Sequence, residues 1–181
     1  MNPITVNHLT TKYDYADFKC AAAKAAIKNS DRIILRIVGS LLILAALILM
    51  GFFRGNVFQN VIYAAMGVVG VLIGCYCELI AYFVVRRRAL NYFEANPEKF
   101  FAQITVFHEE QITFKTDRYS AAIPYDLLYK VYEDGRVFII YTAIDEMRFI
   151  PKRAVNEEEM TQIRAILHTK LNEKYQQEGV R

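Results

Sequence analysis

Three spacings of hydrophobic residues divide the chain. In the first, apolar residues run on without a break. Between Arg36 and Arg54 lie seventeen uncharged residues, IVGSLLILAALILMGFF. A second run extends from Val57 to Val85, with Glu78 as its only charged side chain. Each is long enough to cross a hydrocarbon core of about 30 Å as a helix rising about 1.5 Å per residue. The link Arg54-Gly55-Asn56 leaves room only for a tight reversal. Residues 33–88 therefore predict a two-helix transmembrane hairpin. A soluble domain with buried helices this long would need a polar face on each, and neither run has one. The largely polar stretch before Ile33 argues against a cleaved signal peptide.

The second spacing is alternation, which marks strands. Ile4, Val6 and His8 alternate with Thr5 and Asn7, so Pro3–Tyr13 reads as a strand too short to stand alone. After Asn96-Pro97, which ends the second long helix, six more strands are predicted. They are Phe101–Phe107, Ile112–Lys115, Tyr119–Ile123, Leu128–Glu133, Arg136–Tyr141 and Met147–Ile150. Asp134-Gly135 is the strongest hairpin signal among them.

The third spacing is helical. Tyr15, Phe18, Ala22 and Ala25 or Ala26 share one weak face of a helix capped by Asp14, which reads either as a helix lying on the membrane surface or, preferred for the weakness of that face, as a stalk leading into the first membrane helix. Met160, Ile163, Ile166, Leu167 and Leu171 mark a stronger face, on a helix capped by Asn156 and reaching about Tyr175. One helix covering a set of antiparallel strands predicts a small, partly open β-barrel of pleckstrin-homology type, for which Pro3–Tyr13 is the candidate seventh strand. The expected class is a membrane α+β protein with three regions. Residues 1–32 carry a strand and a stalk helix, 33–88 the transmembrane hairpin, and 89–181 the β-domain with its C-terminal helix.

Charge orients the hairpin. Lys12, Lys19, Lys24, Lys28, Arg32 and Arg36 precede the first long helix, Arg86, Arg87 and Arg88 close the second, and only Arg54 lies between them. The positive-inside bias puts both termini in the cytoplasm, with Arg36 and Arg86–Arg88 at the membrane interface. Gly67, Gly70 and Gly74 form a small-residue stripe that permits close helix approach, either to Gly39, Ala45 and Ala46 or to a second copy in a homo-oligomer.

Chemistry is sparse. The net charge of +3 is too small to suggest nucleic acid. Cys20, Cys75 and Cys77 fit neither a disulfide framework nor a zinc site. His8, His108 and His168 have no second ligand at helical or strand spacing. Ser30, Ser40 and Ser120 lack a nucleophile elbow. The turn His108-Glu109-Glu110-Gln111 is acidic and would repel a phosphate, and Lys152-Arg153 reads as a solvated strand end. Neither an enzyme nor a cofactor is expected.

The stretch Phe149-Ile150-Pro151-Lys152-Arg153-Ala154-Val155, running into an acidic-capped helix after two membrane helices and a short β-domain, resembles the YcxB-like family of bacterial membrane proteins. Its specific part is Ile150, Pro151, Lys152 and Arg153. The resemblance implies a pleckstrin-homology-like domain and a bacterial inner membrane, and carries over no chemistry.

The expected function is a membrane-anchored, non-catalytic interaction or adaptor protein with the lipid bilayer and a protein as partners. A self-immunity protein acting against a membrane-active toxin is one specific form, although no motif supports it. The alternative is a transport or channel accessory subunit formed by oligomerised hairpins, for which a polar stripe along the second helix would be needed. Glu78 adds a separate expectation. Counted from the tip, it and Arg36 differ by only about 6 Å of helical rise, which an arginine side chain spans. Glu78→Gln and Arg36→Ala should therefore each lower the unfolding temperature in detergent. Unchanged unfolding in both variants would contradict an intramembrane pair.

Overall fold

The computed structural model describes residues 3–27, 29–52, 56–76 and 81–177, which fall into two compact units. One unit comprises residues 23–85. The other is discontinuous and joins the first 22 residues to 86–181.

In the helical unit, α2 (Asn29–Phe52) and α3 (Val57–Cys75) pack along their length. Contacts set their direction. Gly39 lies against Gly70 and Gly74, and Ala46 against Gly67, so the two helices run antiparallel. Asn56 caps α3 by accepting a 3.0 Å hydrogen bond from the Gln59 N–H. The remainder of the expected reversal, Arg54-Gly55, lies outside the described residues, as does Glu78 and hence its expected pairing with Arg36. Arg36 itself is exposed on α2. The glycine stripe is engaged within the chain. A Cβ on Gly70 would sit 2.8 Å from the Gly39 carbonyl oxygen, and one on Gly39 would sit 2.6 Å from that of Gly70. Both helices are long and apolar enough to cross a membrane, and only 11% of the apolar stretch in α2 and 6% in α3 is buried.

The β-unit has eight strands among the described residues. The first sheet is antiparallel, in the order β1 (Ile4–Leu9), β2 (Ala102–Phe107), β3 (Gln111–Lys115), β4 (Ser120–Pro124). Ile4 pairs with Phe107 and Leu9 with Ala102, so the N-terminal strand completes a sheet whose other strands lie beyond residue 100. The second sheet has the order β7 (Met147–Pro151), β6 (Val137–Tyr141), β5 (Lys130–Glu133), β8 (Tyr175–Gln177). No strand ladder joins the two sheets among the described residues, so the expected barrel is not closed.

One core fills the space between the sheets and α5 (Glu157–Leu171). It includes Val6, Phe107, Ile112, Val131, Phe138, Ile140 and Ile150 from the strands, and Ile163, Leu167 and Leu171 from the helix. The α5 N-terminus carries the expected cap as a reciprocal box. Asn156 accepts from the Glu159 N–H at 2.7 Å, and Glu159 accepts from the Asn156 N–H at 3.2 Å.

Three local expectations change. Helix α1 (Lys12–Ala26) starts earlier than expected, because Thr11 and Asp14 form their own capping box with Thr11 at the cap. It is also no stalk. Phe18 and Ala21 pack on Val137, Ile139, Tyr141 and Phe149, the face of the second sheet opposite α5. Covered on both sides, β6 is buried at all five positions. Tyr15 further ties α1 to α4 (Ala81–Ala95) through Tyr92 and Phe93, with the Phe100 ring 4.8 Å away. Finally, α5 stops at Leu171 rather than Tyr175. Asn172 takes a positive φ of 45°, and a single helical turn leads into β8.

Gly70→Ala should destabilise the helical pair by about 1–3 kcal/mol, since its new methyl meets backbone. Gly51→Ala, with none of the described residues within 4 Å of the added methyl, should be neutral or slightly stabilising. Thermal midpoints in detergent check this pair, and equal effects would contradict the close glycine contact.

Candidate functional site

The most concentrated chemistry in the β-unit surrounds the corner after β7. Strand alternation sends Phe149 toward α1, where it stacks on Phe18 at 4.6 Å, and Ile150 into the main core. Pro151 then ends the strand and a single 3-10 turn over Lys152–Ala154 splays the next two side chains apart. Each reaches a buried carboxylate.

Lys152 donates to Glu133 Oε1 at 2.6 Å. Glu133 lies on the inward face of β5, two residues from Val131, and is 1% exposed. Arg164 of α5 donates to the same oxygen from Nε at 2.9 Å and from Nη2 at 2.6 Å. The Tyr175 hydroxyl of β8 donates to Oε2. Burial pushes the Glu133 carboxyl up, but the hydrogen bonds from Arg164, Lys152 and Tyr175 outweigh it and leave its pKa below the ordinary value. The Tyr175 hydroxyl moves the other way, raised by burial and by its bond to the carboxylate.

Arg153 reaches in the opposite direction. It grips Asp14 through Nε at 2.7 Å and Nη2 at 2.5 Å, and donates to the Leu9 carbonyl at 3.1 Å. Asp14 also accepts from the Thr11 backbone N–H at 2.8 Å and hydroxyl at 2.6 Å. Burial raises the Asp14 carboxyl, while Arg153 and Thr11 lower it further, with a net shift downward. The pair Lys152-Arg153 is therefore not a solvated strand end. One corner holds β5 and α5 with one side chain and the β1–α1 connection with the other.

His8 stands beside this second clamp. It is 4% exposed on the inward face of β1, with the Phe149 ring 6.1 Å away. Neither ring nitrogen has a hydrogen-bond partner among the described residues. Burial lowers its pKa from 6.5 to about 4, with Asp14 raising it and Arg153 lowering it.

The remaining expected site residues are dispersed. Arg86 is half-buried and donates to Asp17 Oδ1 at 2.6 Å, an oxygen that also accepts from Arg136 at 3.0 Å. It thus serves packing within the β-unit, whereas Arg87 and Arg88 are exposed. The acidic turn carries exposed Glu109 and Glu110, and Tyr125 closes it by donating to the His108 carbonyl at 3.0 Å. No metal-binding cluster of three His, Cys, Asp or Glu side chains occurs among the described residues. Sequence reasoning missed both carboxylates of the clamps. The available signals were an acidic residue on an inward strand position at Glu133, and Thr11 three residues before Asp14.

Residues 107–167 match the family model described as YcxB-like protein. The matched region contains Ile150, Pro151, Lys152 and Arg153, and so bears out the resemblance. No curated protein and no solved structure matches the chain.

The two kinds of group give acid sensitivity in two stages. His8 has a lowered folded pKa, so its contribution is complete above about pH 6.5 and is lost as pH falls toward about 4. Asp14 and Glu133, also depressed, contribute above the ordinary carboxyl range and lose that contribution as pH falls through their lower folded values. His8→Leu should flatten unfolding midpoints between pH 6.5 and about 4.5 while leaving the steeper loss below about 4. An unchanged profile would contradict a buried neutral His8.

Proposed function

We propose, with the YcxB-like match as premise, that the chain is a membrane-anchored, non-catalytic interaction protein of a bacterial inner membrane. Its hairpin spans the bilayer with both termini in the cytoplasm. Its β-unit, a pleckstrin-homology-like module, contacts a protein partner.

The observation that carries this reading is the outward apolar surface of α2 and α3. Leu41, Leu44, Leu47, Phe58, Val61 and Val68 are each at least 54% exposed. An apolar surface far beyond a few hundred Å² is not left in water. Lysines and arginines flanking the hairpin at its two open ends support cytoplasmic termini. The β-unit supports a binding role. A general acid needs a carboxyl pKa raised toward neutrality, whereas Asp14 and Glu133 are both held low by cations. Their chemistry is spent on joining elements.

Crosslinking and affinity capture from membranes test this assignment. Partners should be recovered with the full chain and lost when residues 96–181 are removed. Equal recovery by the hairpin alone would overturn the β-unit as the contact surface, and extraction of the full chain by carbonate would overturn the anchor.

A further inference from the structure

Strand β8 is held differently from its neighbours. It is three residues long and, among the described residues, pairs only with β5, in parallel, with Val131 opposite Tyr175 and Glu133 opposite Gln177. Parallel pairing is the weaker kind, and a strand this short has no stability of its own. The chain enters it through Asn172 at φ 45°, a conformation that is strained for a non-glycine residue. Three specific contacts hold it. The half-buried Tyr175 ring packs on the main core, its hydroxyl meets Glu133, and Lys174 Nζ donates to the Asp126 and Leu128 carbonyls at 2.9 and 3.0 Å.

Without β8, β5 would present an open backbone edge beside α5. That edge has defined requirements. It offers a main-chain ladder, a recess for one aromatic ring, and a carboxylate oxygen that needs a hydroxyl donor two residues along from Val131. Two carbonyls wait for a cation on the residue before the aromatic. Strand addition recognises peptides in this way, with backbone bonds giving affinity and alternate side chains giving specificity. Tethering favours the resident strand through an effective concentration of about millimolar.

We propose that β8 is an exchangeable occupant of a strand-addition groove formed by β5 and α5, and that the partner is an extended peptide segment of another protein carrying a basic residue followed by tyrosine. This rests on the interaction-protein reading and names its surface. The tail segment in the groove shows which side chains the groove accepts, and the partner must reproduce them.

A labelled peptide with the sequence of residues 172–181, NEKYQQEGVR, tests exchange on the full chain in detergent. Tyr175→Phe weakens the resident strand while leaving Lys152 and Arg164 on Glu133. This variant should bind the peptide at least about tenfold more tightly than the unaltered chain, since a hydrogen bond to a charged group is lost from the competitor. Replacing tyrosine by phenylalanine in the peptide should cancel the gain. Lys174→Ala loosens the tail without touching Glu133, and should act in the same direction if Tyr175→Phe impairs folding. No saturable binding to either variant, or equal binding of both peptides, would overturn the proposal. Peptide exchange is read on purified protein. Its failure therefore leaves capture by the β-unit intact, and loss of capture leaves the exchange result intact.

Discussion

Two carboxylates removed from water constrain the whole β-unit. Asp14 and Glu133 are 6% and 1% exposed. Withdrawing a cation from such a group leaves a buried charge less compensated, a penalty moderated where Arg153 and Arg164 reach partly into water. Each must therefore keep its partners, and the partners arrive from far along the chain. Neighbouring residues Lys152 and Arg153 serve both. The 3-10 turn over Lys152–Ala154 directs these two adjacent side chains to different clamps, and Pro151 before it fixes its own φ, at −70°. Within the matched family region, Lys152 and Arg153 thus form a mechanical joint in which both charges are paired.

The Arg153 clamp has a topological consequence. β1 and β2 pair although the entire helical pair intervenes in sequence. Closing so long a connection costs entropy that grows only logarithmically with length, and the intervening segment is itself compact. Against that cost stand the β1–β2 ladder, the Phe18–Phe149 stack and the Asp14–Arg153 grip. The ladder runs along β1 and Arg153 reaches the carbonyl at its end, while the stack ties α1 to β7. The hairpin is in this sense an insertion in one domain, and residues 3–22 are part of the same folded unit as the C-terminal half.

Much of this was legible in the sequence because short-range rules fix it. Alternation located the six C-terminal strands to within a residue or two, Asn156 announced the start of α5, and the N-terminal strand was found but ran four residues too far, because Lys12 and Tyr13 already belong to α1. Glycine spacing located the close helix contact. The missed features depend on partners distant in sequence. Lys152 and Glu133 are 19 residues apart, Arg153 and Asp14 139. Besides Phe18, the buried positions of α1 are small, at Ala16, Cys20 and Ala21, so hydropathy undervalued this face. The better clue lay in its partner: Val137–Tyr141 is apolar at every position, as a strand covered on both faces must be. β8 escaped notice because Tyr-Gln-Gln lacks an alternating apolar pattern and is held by one aromatic ring, its hydroxyl and one ammonium group.

The central claim is that a discontinuous β-unit closes across the hairpin and is held by the Lys152–Arg153 corner. Native-state hydrogen exchange on the full chain measures this directly. The account predicts that β1 amides paired with β2 exchange as slowly as the core amides of β6, and that Arg153→Ala accelerates β1 while leaving β6 slow. Rapid exchange of residues 4–9 in the unaltered chain, at the rate of a free N-terminal segment, would contradict it.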